Sequence, residues 1–234
     1  MSVWMELWVR LKVVDLVAQT AWLTLTEKLD FSGRVHGLLR YSYWGFTAEG
    51  NGGSIMDEID RAVRMDSAFT NQNKHRYRLM ILENTAGRGV PLGDGDAAST
   101  AVEMPGQPSP AACRGDLELE HDYALRTDTA GVRLDDLYAL DCLVRERNGE
   151  REAGFADRLN GRAAGVGVSG MKAGEMWRII VSAGSRGEAL KTAGRIAVTR
   201  SRREGLLLNP HYQRLELVSV VPLAGEMIRG GRGV

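Results

Sequence analysis

The sequence has little cysteine and no net charge. Two cysteines in 234 residues are too few for a disulfide framework or a zinc site, and the four histidines show no metal-ligand spacing. Thirty basic residues balance thirty acidic ones, so no global field attracts the chain to nucleic acid or to a membrane surface.

Long apolar runs are also missing. The apolar N-terminus is interrupted by Glu6, Arg10, Lys12 and Asp15, and no stretch reaches the roughly eighteen apolar residues of a membrane span. Without a recognisable signal peptide or membrane span, we expect a cytoplasmic protein with reduced thiols.

Motifs for catalysis are absent as well. The chain contains no Gly-x-Ser-x-Gly turn and no phosphate-binding P-loop. Gly165–Gly170 is a formal Gly-x-Gly-x-x-Gly, but a helical pattern precedes it and a strand pattern follows it. That order is the reverse of what pyrophosphate binding needs. We therefore predict no catalytic residue, no cofactor and no metal.

The first third of the chain has clear periodic patterns. Strict alternation over Met5–Lys12 predicts a half-buried strand, and Asp15 is a suitable cap for a helix after it. Val35–Phe46 predicts a strand or a tight hairpin, Ile55–Val63 a helix, and Lys74–Ile81 a strand. The order is β-α-β(β)-α-β, which is the ferredoxin-like arrangement.

The same order starts again after a segment without apolar period. Tyr138–Val144 predicts a strand, Phe155–Leu159 a short helix, Val166–Val181 a hairpin, Ala189–Ala197 a helix, and Arg214–Val218 a closing strand. The sequence thus predicts an α+β protein made of two ferredoxin-like β-α-β-β-α-β repeats packed as a pseudo-dimer. The predicted boundaries are 1–83 for the first repeat, 84–133 for an acidic Pro/Gly-rich linker, 134–223 for the second repeat and 224–234 for a flexible tail.

Shared spacings support an internal duplication. Trp44 follows Val35 by nine residues, and Trp177 follows Val168 by nine residues. Each helix then runs into an asparagine with a histidine two residues later, in Asn73-Lys74-His75 and Asn209-Pro210-His211. Matches in register indicate a repeat. Trp44 and Trp177 are the candidate contact between the two repeats.

Two groups of arginines are the candidate surface for a partner. Arg200, Arg202 and Arg203 lie near the end of a predicted helix, where they either complement the helix dipole or form a docking patch for an acidic partner. Arg76 and Arg78 lie on the predicted closing strand of the first repeat.

The aromatic stretch Arg40–Phe46 leaves two interpretations open. Aromatic side chains on the open face of a sheet could stack RNA bases, which makes Tyr41, Tyr43 and Trp44 candidates for a nucleic-acid site. A simpler interpretation is a strand whose side chains alternate between two covered faces, one in the core and one against a second layer.

The second repeat ends in a segment that resembles a known family. Leu206–Tyr212 leads from a helix into the last strand and is similar to the Leu-Leu-x-Asn-Pro turn of the PurS subunit of phosphoribosylformylglycinamidine synthase. Val168–Lys172 resembles the Val-x-x-Gly-Lys strand entry of that family, with Met171 as an extra residue. In the first repeat Asn71–Lys74 stands where that family has Asn-Pro.

The resemblance implies a non-catalytic scaffold subunit. Such subunits pair as dimers and bridge the glutaminase and the ATP-dependent synthetase that act together in purine synthesis. A tandem copy would be a pseudo-dimer within one chain, with those two subunits as its partners. The alternatives are a tandem RNA-binding protein and a regulatory protein whose ACT-like domains sense a small ligand.

Overall fold

The structure is a computed structural model that describes residues 2–29, 31–50, 55–82, 90–91, 110–117, 136–199 and 205–223. The strands are β1 (Ser2–Leu11), β2 (Val35–Glu49), β3 (His75–Leu82), β4 (Val90–Pro91), β5 (Pro110–Gly115), β6 (Leu137–Glu146), β7 (Gly167–Ser182) and β8 (Gln213–Pro222). The helices are α1 (Leu16–Glu27), α2 (Ile55–Met65), α3 (Glu150–Asn160) and α4 (Arg186–Ala197).

All eight strands form one antiparallel sheet in the order β4-β8-β6-β7-β2-β1-β3-β5. The two halves meet in the middle of this sheet, where β2 pairs with β7 from Val35↔Val181 to Glu49↔Gly167. The predicted fold of two packed ferredoxin-like repeats is therefore wrong. β2 and β7 are single long strands rather than hairpins, so each half supplies three long strands in the order β-α-β-α-β.

The helices cover one face of the sheet in two cores, and each core takes one helix from each half. The first core joins α1 and α4, and the second joins α2 and α3. Alternation along the strands places Leu7, Phe46 and Ile179 on this helix-covered face and Trp8, Tyr41 and Met176 on the other. Among the described residues, the three larger clusters of buried side chains contain residues of both halves, and a small fourth cluster lies within the second half.

The two halves end in the same hydrogen-bonded turn. Asn71 donates its backbone N–H to Nδ1 of His75 at 3.1 Å, and its side chain accepts from the N–H of Asn73. Asn209 donates to Oε1 of Gln213 at 3.0 Å and accepts from the N–H two residues ahead. Asn71 is thus the structural equivalent of Asn209, whereas the sequence comparison matched Asn73 with Asn209.

Part of the predicted linker forms strands. β4 pairs with β8, and β5 pairs with β3 from Arg78↔Gly115 to Leu82↔Pro110. Within the predicted linker 84–133, the structure describes residues 90–91 and 110–117. The rest of that segment and the predicted tail 224–234 lie outside the described residues. Among the described helices, none combines the length and the apolar character needed to cross a membrane.

Two predicted helix caps are confirmed. The side chain of Asp15 accepts from the backbone N–H groups of Val17 and Ala18, and the side chain of Ser185 accepts from the N–H of Glu188. At the other end of α4, Gly205 has φ +79°, and a Cβ at this position would lie 1.7 Å from the carbonyl oxygen of Val198. Glycine is therefore required where the chain turns from α4 towards β8.

A glycine pair tests this turn. Gly205→Ala should lower the free energy of unfolding by about 1–3 kcal/mol from the left-handed backbone alone. Gly194→Ala should raise it by up to about 1 kcal/mol, because Gly194 lies inside α4 and has no atom within 4 Å of the added methyl group. Urea unfolding of both variants measures the difference, and equal effects would contradict the structure of the turn.

An ion cluster ties the two halves together at the end of α2. Asp66 Oδ2 lies 3.0 Å from Nε of Arg162 and 3.8 Å from Nη1 of Arg158, both in the second half. Asp66 Oδ1 accepts from the N–H of Ala68 at 2.9 Å. This backbone hydrogen bond, aided by the two arginines and opposed by burial, lowers the pKa of Asp66.

Acid should weaken this tie. A lowered pKa in the folded state means that ionised Asp66 contributes stability above the pKa of an unfolded aspartate, and that this contribution is lost as the pH falls through the folded pKa. Asp66→Asn should therefore lower the free energy of unfolding by about 1 kcal/mol at pH 7. The difference from the unmodified chain should disappear in acid. Urea unfolding of both proteins from pH 7 into acid measures this difference in the free energy of unfolding. A difference that stays constant with pH would contradict the stabilising role of ionised Asp66.

Candidate functional site

The two candidate tryptophans lie inside the shared cores. Trp44 is buried on β2 and packs edge-to-face against Phe69 and against Phe155 of the second half, with ring centroids 5.5 Å apart in both pairs. Trp177 is buried on β7, and the guanidinium carbon of Arg40, from the first half, lies 5.9 Å from its ring centroid. Each tryptophan thus contacts the opposite half of the chain.

The aromatic stretch does not present rings to solvent. Tyr41 and Tyr43 lie on the face without described helices, 1% and 2% exposed, and both pack against Trp8 at centroid distances of 5.3 and 5.7 Å. Trp44 is 6% exposed on the opposite face. None of these rings can stack a nucleotide base in this arrangement, because stacking needs an open ring face.

A buried ionic group organises the face that carries Tyr41. Arg178 is fully buried and donates through Nε and Nη2 to the carboxylate of Asp141 at 2.7 and 3.1 Å. Ser219 donates to the same carboxylate at 2.7 Å. The guanidinium carbon of Arg178 also lies 5.4 Å from the ring of Trp8. A buried charge pair with these hydrogen bonds and this aromatic neighbour is a structural element.

A second buried carboxylate lies on the same face in the first half. Glu6 is 1% exposed and accepts from Nε1 of Trp8 at 3.0 Å and from the hydroxyl of Tyr43 at 2.9 Å. Sequence reasoning missed both acidic groups. The available signal was a charged residue inside an otherwise apolar strand, as with Glu6 in β1 and Asp141 in β6.

Another ionic cluster lies at the end of β6. Buried Arg145 pairs with Glu152 of α3 and, at 2.7 Å, with Glu216 of β8. Lys172 lies 3.2 Å from the second oxygen of Glu216. Arg214 also lies 3.5 Å from Glu216, so three basic and two acidic side chains pair in this cluster and hold α3 against the sheet.

The arginines predicted to meet a partner have different positions. Arg76 is exposed on β3, whereas Arg78 is half-buried beside β5 and donates to the sulfur of Cys113 at 3.6 Å. Arg200, Arg202 and Arg203 lie outside the described residues. The structure therefore places one of the five arginines on a described open surface.

The described residues include two kinds of group that could carry chemistry, potential metal ligands and a buried thiol. Nowhere in them do three histidine, cysteine, aspartate or glutamate side chains come together as a metal site would require. Burial raises the pKa of the Cys142 thiol, which makes this residue a poor nucleophile. Burial, followed by the charge of Lys74, lowers the pKa of His75.

Helix α1 has an almost uncharged outer face that carries several apolar side chains, unlike the other described helices. It has one charged residue, Glu27, whereas α2, α3 and α4 each have four or five. Its inner face is buried in the first core. Exposed apolar side chains continue from the preceding loop onto its outer face, and we call them the α1 apolar strip: Val13, Val14, Leu16, Val17 and Leu23, with exposed fractions of 45–71%.

The strip has a polar interruption and a basic border. Leu16 and Leu23 are seven residues apart and lie on the same side of the helix, with the exposed polar residues Gln19 and Thr20 between them. Lys12 precedes the strip and donates its backbone N–H to the carbonyl of Lys74 at 2.8 Å, which brings two exposed lysines to its edge. The exposed apolar side chains cluster at the start of α1, at Val13, Val14, Leu16 and Val17. A cluster of this kind with a polar border is typical of a surface that binds another protein.

Comparison with family models, with curated proteins and with solved structures finds no match to this chain. Its function is therefore argued from its own residues.

The buried tryptophans give a test of the interior. Trp8→Phe and Trp44→Phe remove the same atoms, but Trp8 donates to the carboxylate of Glu6, and the Nε1–H of Trp44 has no acceptor within the described ranges. Trp8→Phe should therefore lower the free energy of unfolding by about 1.5–3 kcal/mol more than Trp44→Phe does. This difference is the usual contribution of a hydrogen bond to a charged group. Denaturant unfolding measures both variants. Equal losses would show that the Glu6 interaction contributes nothing.

Proposed function

We propose that this chain is a non-catalytic scaffold subunit that docks through the α1 apolar strip. The assembly that its sequence suggests is phosphoribosylformylglycinamidine synthase of the cytoplasm. In it the chain would bridge the glutaminase and the ATP-dependent synthetase in purine synthesis.

The α1 apolar strip carries this proposal. Burying apolar surface contributes about 25 cal/mol per Å² to association, and exposed valine and leucine side chains contribute nothing to the fold of the isolated chain. Helices α2, α3 and α4 have charged outer faces, so the exposed apolar side chains of α1 call for a specific explanation. A partner protein that covers α1 provides one.

The turn that carries the family resemblance also supports the proposal. Leu206 and Leu207 donate their N–H groups to the carbonyls of Ile196 and Ala197 at 2.9 and 3.0 Å, and Leu208 is buried. The segment thus leads from the last helix into the last strand, as the PurS resemblance implies. A second copy of the same asparagine turn at the end of the first half fits a tandem arrangement.

The chemistry of the strip defines the partner surface. The partner should present apolar side chains to Leu16 and Val17 and acidic side chains to Lys12 and Lys74. The apolar contacts would set the lifetime of the complex, and the lysines at the border would act mainly on the rate of encounter.

Leu16→Glu combined with Leu23→Glu tests the docking surface. The double variant should fold, because substitutions of exposed side chains usually change stability by about 0.5 kcal/mol or less. It should no longer bind the glutaminase and synthetase subunits from its own organism. The affinity is measured with those subunits immobilised on a sensor surface. Amidine formation by the three reconstituted components should fall in parallel.

Met65→Glu is the matched control, because Met65 is 63% exposed at the end of α2, outside the strip. It should leave association unchanged. Reversing the charges of Lys12 and Lys74 should slow association, with a larger effect at low salt. Full association of the double leucine variant would overturn the strip as the docking surface. Failure of the unmodified chain to bind either subunit would overturn the assignment to this assembly.

A further inference from the structure

A cleft of about 230 Å³ opens where the two halves meet. It lies on the helix-covered side, beside the start of α1 and over the middle of β2. Its walls come from both halves and are formed by Val9, Arg10, Leu11, Asp15, Arg40, Tyr41, Ser42, His75 and Glu175. Its volume is below the range of about 300–1,000 Å³ that is usual for sites of drug-sized ligands, so a smaller molecule would fill it.

Arg40 is the central charged group of the cleft. It donates through Nε and Nη2 to the carboxylate of Asp15 at 2.9 and 3.2 Å, and through Nη1 to Oε1 of Glu175 at 3.0 Å. An arginine has five N–H donors, so two remain for a ligand. Asp15 also caps α1 and is therefore held in place from two sides.

Glu175 leaves one carboxylate oxygen for a ligand. Its side chain is 47% exposed, and Arg40 takes Oε1. Asp15 is engaged by the cap and by Arg40, so Glu175 is the better acceptor for a cation. The cleft thus places a free acceptor of negative charge beside free donors of positive charge.

His75 and Ser42 add neutral donors. Nδ1 of His75 accepts from the N–H of Asn71, so the proton of the neutral ring is on Nε2, which can donate. Burial lowers the pKa of His75, and this keeps the ring neutral at pH 7. Ser42 is exposed on β2, directly opposite Glu175 in the strand pairing.

The second half lacks this set of side chains. Arg40 stands opposite Trp177 in the sheet, and the corresponding residue opposite Trp44 is Ala173. Gly149 is the N-cap of α3, where α1 has Asp15. Gln213 takes the position of His75 in the second asparagine turn. The shared architecture therefore does not require these charges.

We propose that this cleft binds a small zwitterion of the free amino-acid type. The ligand's ammonium group pairs with Glu175, and its carboxylate pairs with the two remaining N–H donors of Arg40. Its side chain lies over Val9 and Leu11 towards His75. A ligand with both charges suits a cleft that offers groups of both signs, because a simple anion would meet Glu175 and a simple cation would meet Arg40.

The ligand would contact both halves at the centre of the sheet, because Arg40 belongs to the first half and Glu175 to the second. Binding to the folded state alone stabilises it in proportion to the logarithm of ligand concentration. The cleft shares no lining residue with the α1 apolar strip, but Asp15 of the cleft lies between Val14 and Leu16 of the strip. Docking of a partner and binding of the zwitterion are therefore measured separately, each in the absence of the other.

Calorimetric titration of the full chain with each of the twenty common L-amino acids tests the proposal. One or a few of them should bind and raise the melting temperature. Analogues that lack the amino or the carboxylate group should bind at least about tenfold more weakly, as expected for the loss of a charged hydrogen bond. In ¹⁵N spectra, the indole signal of Trp177 should shift on binding, because Arg40 stacks on its ring.

Glu175→Gln should weaken binding at least about tenfold, for the same reason. Glu49→Gln is the matched control, since Glu49 is an exposed glutamate at the end of β2, and it should bind like the unmodified chain. No binding by any of the amino acids at about 10 mM, which corresponds to less than about 3 kcal/mol, would overturn the proposal. Equal binding of simple carboxylates, or equal loss in both glutamate variants, would overturn it as well.

Discussion

The pairing of β2 with β7 is the interaction on which the rest of the structure depends. It runs the whole length of two long strands and turns six main strands from two halves into one sheet. Because the helices of each half then lie next to helices of the other, the hydrophobic cores form across the junction. An isolated half would expose the edge of one long strand. It would also expose the apolar side chains that it contributes to each of the two shared cores.

This arrangement also explains the distribution of polar groups. The sheet has two covered faces, so charged side chains in its middle have to be neutralised inside the protein. Arg178 with Asp141, and Arg145 with Glu152 and Glu216, achieve this with short, charge-assisted hydrogen bonds. The exposed apolar side chains of α1 have no such internal partner, and the cleft beside Arg40 is open to solvent although Arg40 is paired with Asp15 and Glu175. These two places are where we propose contacts with other molecules.

The sequence predicted the individual helices and strands better than the way in which the strands pair into one sheet. Alternation identified the long strands, and Asp15 and Ser185 identified helix starts, because these signals are local. The hairpin expected in Val166–Val181 was wrong, and Val35–Phe46, for which a strand or a tight hairpin was expected, is a single strand. Gly174 lies inside β7 and serves close strand approach rather than a turn, since a Cβ there would lie 2.3 Å from the carbonyl oxygen of Val144. Pairing between β2 and β7 leaves no local trace.

The candidate sites show the same limit. Arg40, Asp15 and Glu175 are far apart in sequence, and only the sheet brings them to one cleft. The α1 apolar strip could have been suspected from the single charged residue of α1, but its exposure depends on which face the sheet covers. In contrast, Trp44 and Trp177 were singled out by their spacing alone, because both occupy equivalent positions on the two central strands.

The central strand pair has a consequence for synthesis of the chain. Arg40 and Glu175, which meet across it, are 135 positions apart, so the ribosome completes β1, β2 and β3 long before β7 emerges. During that interval the growing chain displays an unpaired edge at β2 and half-built cores. Contacts this distant in sequence form slowly, and open strand edges invite association between chains. A nascent chain of this protein thus passes through a stage in which the edge of β2 is open to pairing with another chain.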